Sequence, residues 1–184
     1  MSDDSSKNPV PDERFTTKPN NQPVPGNGKS DVLSESPSLV INGQYIKDFS
    51  FEAPNTPEVY NLLQNEMPNI QVDIDVQGEG KGDNTFEVIL KVRAEAKVKN
   101  EGVYICELSY AGLFSINVPQ EHLGPVLMID CPLILFPFLR RVIADVTGDG
   151  GFAPLMLSPV DFAALYKQKI DQATDDQESK PPSE

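Results

Sequence analysis

The sequence predicts an α+β domain: a four-stranded antiparallel sheet with helices gathered after it. Three observations carry this reading. Four segments between Gln44 and Val118 alternate apolar and polar residues, the period of two that strands require. Short polar or glycine-bearing stretches join them, which favours antiparallel neighbours, most simply an antiparallel meander. Beyond Pro119 the apolar spacing becomes helical. It is most apolar in residues 131–151, CPLILFPFLRRVIADVTGDGG, around which the rest of an acidic chain is organised.

The first strand is predicted over residues 44–52, with Tyr45, Phe49 and Phe51 on one face and Asp48, Ser50 and Glu52 on the other. Thr56 as N-cap and Pro57 at the first helical position suit a short helix to about Leu63. The second strand, residues 69–77, points Ile70, Val72, Ile74 and Val76 one way and Gln71, Asp73, Asp75 and Gln77 the other. Residues 78–84, GEGKGDN, read as a hairpin loop. The third strand, residues 85–99, sets Phe86, Val88, Leu90, Val92, Ala94, Ala96 and Val98 against a charged face. After a turn at residues 99–102, the fourth strand runs over residues 103–118. Tyr104, Cys106, Leu108 and Tyr110 share one face, and Ile105, Glu107 and Ser109 the other. A strand apolar on both faces is usually covered on both.

Residues 119–129 read as a helix leading into the long apolar one. In the latter, Leu135, Leu139, Val142 and Val146 form a stripe, with Phe138 and Ile143 beside it. Pro137 predicts either a kink or a fresh helix start, and Gly148, Gly150 and Gly151 the stop. Residues 151–157 form an apolar loop. Ser158 as N-cap, Pro159 and Asp161 then open a last helix with the stripe Phe162, Leu165, Tyr166 and Ile170. Residues 1–38 and 171–184 are polar and poor in apolar groups, so they are predicted to be a disordered extension and a disordered acidic tail. The folded domain is residues 39–170 of 184.

A formal net charge of -13 argues against nucleic acid and against docking on anionic lipid. It favours basic partners. The N-terminus has no basic start followed by an apolar run, and no apolar run is long enough to span a bilayer, which predicts a cytoplasmic protein. Cys106 and Cys131 give neither a disulfide framework nor a zinc spacing. His122, the single histidine, has no evident nucleophile or metal partner. The GEGKGD and TGDGG stretches lack the spacing of phosphate and calcium loops, and Asp73 with Asp75 reads as a solvated strand face. The chain is not read as an enzyme, and no cofactor is expected. Its surplus of apolar surface points to oligomerisation, to a binding groove, or to ordinary core packing.

The stretches YIKDFSFEAPNTPEVY, YICELSYAGLFSI, CPLILFPFLRRVI and LSPVDFAALY, in that order across most of residues 44–166, resemble the protein-export chaperone family SecB. The resemblance implies a four-stranded antiparallel sheet carrying a long helix and a shorter C-terminal helix. It implies a homotetramer, a dimer of dimers, without nucleotide or metal of its own. Such a protein binds unfolded precursors in the cytoplasm, keeps them competent for translocation, and delivers them to the motor ATPase SecA. The matching client-groove positions are Ile70, Val72, Ile74, Leu155, Leu157, Phe162, Leu165 and Tyr166. Those of the motor-docking face are Asp48, Glu52, Ile105 and Glu107. Those of the oligomer interface are Cys106, Leu108 and Tyr110. The chain departs from the family in its long N-terminal segment, in the bulk of Tyr110, and in its KPPSE ending, where the family's tail meets the motor's zinc-binding end. A SecB-like holdase serving a toxin–antitoxin pair, and a small-molecule-binding α+β domain, are the alternatives.

Overall fold

The computed structural model describes residues 38–178, all within the unit Glu35–Glu184. Of the expected disordered extension, residues 1–37 lie outside the described residues, as do residues 179–184 of the expected tail. Ser38 already belongs to the first strand.

Strands β1 (Ser38–Glu52), β2 (Asn69–Gly82), β3 (Thr85–Val98) and β4 (Glu101–Asn117) form one antiparallel sheet in the order β1-β4-β3-β2. This corrects the simple meander. β2, β3 and β4 are joined by hairpins, but β1 lies beside β4, so the chain crosses the sheet between β1 and β2 in a Greek-key order. The strands are also longer than their composition suggests. The expected loop over residues 78–84 shrinks to Asp83 and Asn84, both at positive φ (48° and 56°), and Lys99 and Asn100 repeat this (49° and 69°). Two consecutive left-handed residues make the tight turn that matches strand twist, and Asn and Asp tolerate that region best. Register shifts at Asn42 and Lys47 bulge β1.

Helix α1 (Val59–Leu63) follows β1. Thr56 does not cap it: its hydroxyl donates to the Ala53 carbonyl at 2.8 Å, holding the preceding turn. After β4, α2 (Gln120–Pro125), a π-helical turn (Val126–Asp130) and α3 (Cys131–Asp149) follow without a break. The Cys131 N–H reaches back five residues to the Val126 carbonyl, so the ladder has already shifted where Pro132 removes a donor. Pro137 starts no new helix; it sits exposed within α3. The buried line of α3 is Leu135, Leu139, Ile143 and Thr147, one position round from the expected stripe, and Phe138 lies half-exposed at the flank of the helix against Tyr110. That line packs with Leu90, Val92, Leu108 and Phe114 in a single core. Gly112 lets the helix approach. A Cβ there would lie 2.6 Å from the Phe114 ring and 2.8 Å from Leu135 Cδ2.

Helix α4 (Phe162–Glu178) starts three residues later than expected. Asp161, not Ser158, caps it, its Oδ1 accepting from the Ala164 N–H at 2.9 Å. The helix also continues through residues 171–178, so the boundary of the tail moves outward.

Candidate functional site

The sheet has two unlike faces. One carries α3 and the core. The other is uncovered by any described element and is organised in rows by the strand register. Asp48, Ser109, Lys91 and Asp75 form one row; Ser50, Glu107, Arg93 and Asp73 the next; Glu52, Ile105, Glu95 and Gln71 the third. Asp48, Glu52, Ile105 and Glu107 thus stand on one face of the sheet: alternation groups Asp48 with Glu52 and Ile105 with Glu107, and the pairing of β1 with β4 brings the two pairs together. The structure adds a basic pair, Lys91 and Arg93, in the middle of the patch. Arg93 is ion-paired to Glu107 and lies 3.6 Å from Glu95. Asp48 and Glu52 are exposed and have no ion pair among the described residues.

At another corner of this face Glu87 is only 3% exposed. Lys47 and Tyr45 hydrogen-bond one carboxylate oxygen at 2.7 and 2.6 Å, and Lys81 lies 3.1 Å from the other. The Lys47 ammonium first, then the Tyr45 hydroxyl, hold the carboxyl down at about 2 against the opposing pull of burial. The bulge at Lys47 turns this cation toward Glu87. The cluster is internally satisfied, so it reads as a structural clamp.

The apolar site lies at the opposite edge. β2 pairs only with β3, leaving its outer edge open. Beside it run the loop after α3 and the start of α4. Three open clefts follow one another here. The first, about 490 Å³, is lined by Tyr60, Leu63, Met67, Ile70, Tyr104 and Phe152 among others. The second, about 470 Å³, is lined by Ile70, Val72, Ile74, Leu155, Met156, Leu157, Pro159 and Val160. The third takes Val72, Ile74, Val160, Ala164 and Leu165. Shared walls at Ile70, then at Val72 and Ile74, make them one groove.

The loop is hung on Thr147, a fully buried hydroxyl that donates to the Ile143 carbonyl at 2.8 Å and accepts from the Leu155 N–H at 2.9 Å. The turn back needs Gly151 at φ 84°, with the Tyr60 hydroxyl 2.6 Å from where a Cβ would stand. That hydroxyl donates to the Gly150 carbonyl at 3.0 Å. Lys169 ties α4 to β2, donating to the Val76 carbonyl at 2.7 Å and pairing with Asp75. Burial raises the Asp75 carboxyl, but the Lys169 and Gln77 bonds outweigh it and hold it below the usual range.

Of the expected groove residues, Ile70, Val72, Ile74, Leu155, Leu157 and Leu165 therefore line it. Tyr166 sits in a small adjoining crevice with Met128 and Lys169. Phe162 does not line it: it is a core residue, edge-on to Phe136 with ring centroids 6.0 Å apart. Sequence reasoning missed Tyr60, Met67, Tyr104 and Phe152, which come from three separate segments. Tyr60, Tyr104 and Phe152, with Phe51 behind them, form one ring cluster with centroids 5.2–6.3 Å apart. Aromatic residues flanking the glycines at 102 and 151 were the available signal.

Cys106, Leu108 and Tyr110 lie beneath α3 in the core of the chain itself, with the Tyr110 ring stacked on Phe138 at 6.3 Å. Burial pushes the Cys106 and Cys131 thiols up to about 11 and about 12, so both stay protonated. Apolar surface remains exposed on the outer strand β1 (Val40, Ile41, Ile46, Phe49) and on the flanks of α3 (Leu133, Phe138). Among the described residues no group of His, Cys, Asp and Glu could hold a metal ion, and no helix is long and apolar enough to cross a membrane.

Residues 33–173 match the family described as preprotein translocase subunit SecB. Curated relatives include the protein-export protein SecB of Rhodospirillum rubrum, 46% identical over 135 residues, covering 73% of this chain and 84% of that one. That of Parvibaculum lavamentivorans is 48% identical over 151 residues, covering 82% and 89%. Among solved structures, a SecB-like chaperone of Mycobacterium tuberculosis in complex with an antitoxin peptide superposes with a TM-score of 0.56 at 15% identity. The match spans 66% of this chain and 90% of that one, and it speaks for the fold.

Proposed function

Because this chain belongs to the SecB family of protein-export chaperones, we propose that it holds unfolded precursors in the groove along β2 and hands them to SecA. The holdase role in export follows from the family. The groove, the docking face, the assembly and the cytoplasmic location are this proposal.

The observation that carries it is the continuous apolar groove of three clefts beside the open edge of β2. An unfolded chain offers aliphatic and aromatic groups along an extended backbone. A groove of this kind gains affinity by burying them, at roughly 25 cal/mol per Å² before ordering costs. That gain is nearly indifferent to sequence, and because it is made with the unfolded state it draws the client away from folding by mass action. Met67 and Met156 at the rim supply side chains that adapt to different occupants. No reaction step is needed for this work, and none is assigned.

The docking face is Asp48, Glu52, Ile105 and Glu107. Its exposed carboxylates around a half-buried isoleucine suit a partner with basic and apolar groups. It lies across the sheet from the core, so client and motor need not compete for one surface. Assembly into a tetramer uses the exposed apolar groups of β1 and of the flanks of α3. Cys106, Leu108 and Tyr110 serve assembly by seating α3 from beneath.

The test is size exclusion with light scattering, with and without a denatured secretory precursor diluted in, in the absence of ATP. A tetramer that co-elutes with the unfolded but not the folded precursor is expected. A monomer that ignores the precursor refutes the reading.

A further inference from the structure

Between Ile46, opposite Tyr110, and Asp48, opposite Ser109, strand β1 holds one residue more than β4, and that residue is Lys47. An edge strand paired on one side can carry its extra residue at more than one position. One step toward the C-terminus would leave Asp48 without a partner and put Lys47 opposite Ser109. A cation would then head the row that now runs Asp48, Ser109, Lys91 and Asp75. Glu52 would keep its place either way, because Phe51 beside it is stacked on Tyr104 with ring centroids 5.8 Å apart.

What holds the extra residue at Lys47 is Glu87, two strands away on β3. The Lys47 ammonium and the Tyr45 hydroxyl both donate to one of its carboxylate oxygens, at 2.7 and 2.6 Å, and Lys81 stands 3.1 Å from the other. Lys47 and Tyr45 must cross β4 to reach it. Opposite Tyr45, β4 carries only the small Ala111, which is fully buried although its position is on the open face. Charge-assisted bonds converging on one carboxylate leave a single arrangement of this stretch. Resting on the docking-face reading above, we propose that Glu87 is a positioning residue for SecA: by keeping Lys47 as the extra residue, it sets Asp48 into the row that meets the motor. Asp48 touches the partner, while Glu87, 3% exposed, does not. The same contact draws off the one cation that would otherwise stand in the place of an acidic group.

The experiment measures the affinity of the full chain for SecA, and for a denatured precursor as control, well below each variant's thermal transition. The variants are Asp48→Asn, Glu52→Gln, Glu87→Gln and Lys47→Met, with Glu87→Gln also combined with each of the first two. Asp48→Asn and Glu52→Gln alone are each expected to weaken SecA binding about two- to fivefold, the worth of an exposed ion pair. Glu87→Gln should cost about as much and leave client binding unchanged. In its background Asp48→Asn should cost nothing further, while Glu52→Gln keeps its full effect. Lys47→Met separates placement from charge. Removing a cation from this face would tighten a basic partner if charge alone counted; loss of the pin weakens it instead. Tighter or unchanged binding by Lys47→Met, or an undiminished effect of Asp48→Asn in the Glu87→Gln background, overturns the inference and leaves the docking face standing. If neither Asp48→Asn nor Glu52→Gln alone alters SecA binding, the docking-face reading fails with it.

Discussion

Replacing Ile70 and Val72 together by serine tests the groove most directly. In the free chain these side chains are 36% and 38% exposed. Fully burying such a side chain is worth about 1.5–3 kcal/mol, so a client that covers the remaining third or so gains about 0.5–1.1 kcal/mol at each position. The pair together contributes about 1.1–2.2 kcal/mol, a roughly six- to fortyfold change in Kd. The share of each side chain already packed on the fold is lost as well, which lowers stability by about 2–4 kcal/mol. Binding is therefore read by fluorescence anisotropy with a labelled unfolded precursor, well below the variant's own transition, with circular dichroism confirming the sheet. A folded double variant with an unchanged Kd would refute the reasoning and remove β2 from the groove.

Other consequences are equally direct. Asp48→Lys with Glu52→Lys should weaken SecA binding by about a hundredfold, since like charges brought together cost several kcal/mol, and should leave client capture unchanged; loss of both activities would merge the two surfaces. Glu87 titrates near 2 in the fold against 4.5 unperturbed, so its contribution is fully present above pH 4.5 and disappears as pH falls toward 2. Discounted for the partly exposed lysines around it, that contribution is about 1–2 kcal/mol. Urea titrations of the wild type and Glu87→Gln should therefore converge on acidification, and parallel curves from pH 7 to 3 would contradict this. Thr147→Val keeps the shape but strips the Leu155 N–H of its acceptor, costing about 1–3 kcal/mol; hydrogen exchange at Leu155 should quicken and client binding weaken. Phe138→Glu, at the flank of α3, should shift the assembly toward smaller species in light scattering, and an unchanged mass would exclude that flank from the interface.

What the sequence made legible follows from the range of each physical signal. Alternation needs only neighbouring residues, so most strand faces, and with them the grouping of Asp48 with Glu52 and Ile105 with Glu107, could be read directly; the bulge at Lys47, invisible to alternation, puts Tyr45 on the open face with Asp48 and not with Phe49 and Phe51. Strand order depends on which backbone pairs with which across dozens of residues. Nothing local reports that β1 lies beside β4. The glycines of residues 78–82 looked like a loop because composition cannot reveal that Asp83 and Asn84 absorb the whole reversal. Capping was ambiguous for a similar reason. Ser158 and Asp161 both qualify by type, and only the path of the loop hung from Thr147 decides between them. Phe162 matched the family's groove, but its side chain turns inward onto Phe136. The aromatic cleft was least legible of all, because Tyr60, Tyr104 and Phe152 meet only after the sheet and α3 have folded.

The strand order also sets a timetable for synthesis. β2, β3 and β4 can pair as they emerge, since only two residues separate each from the next. β1 is made first, yet its partner Ile105, opposite Glu52, lies 53 positions later (105 − 52). At the roughly 5–20 residues per second of translation, β1 waits about 3–10 s for that first partner with its backbone groups unpaired. The outer edge proposed to meet a second copy is thus fixed in place only once β4 has left the ribosome. Partners are then recruited to a finished sheet, and the nascent protein passes through the exposed, extended condition of the chains it goes on to hold.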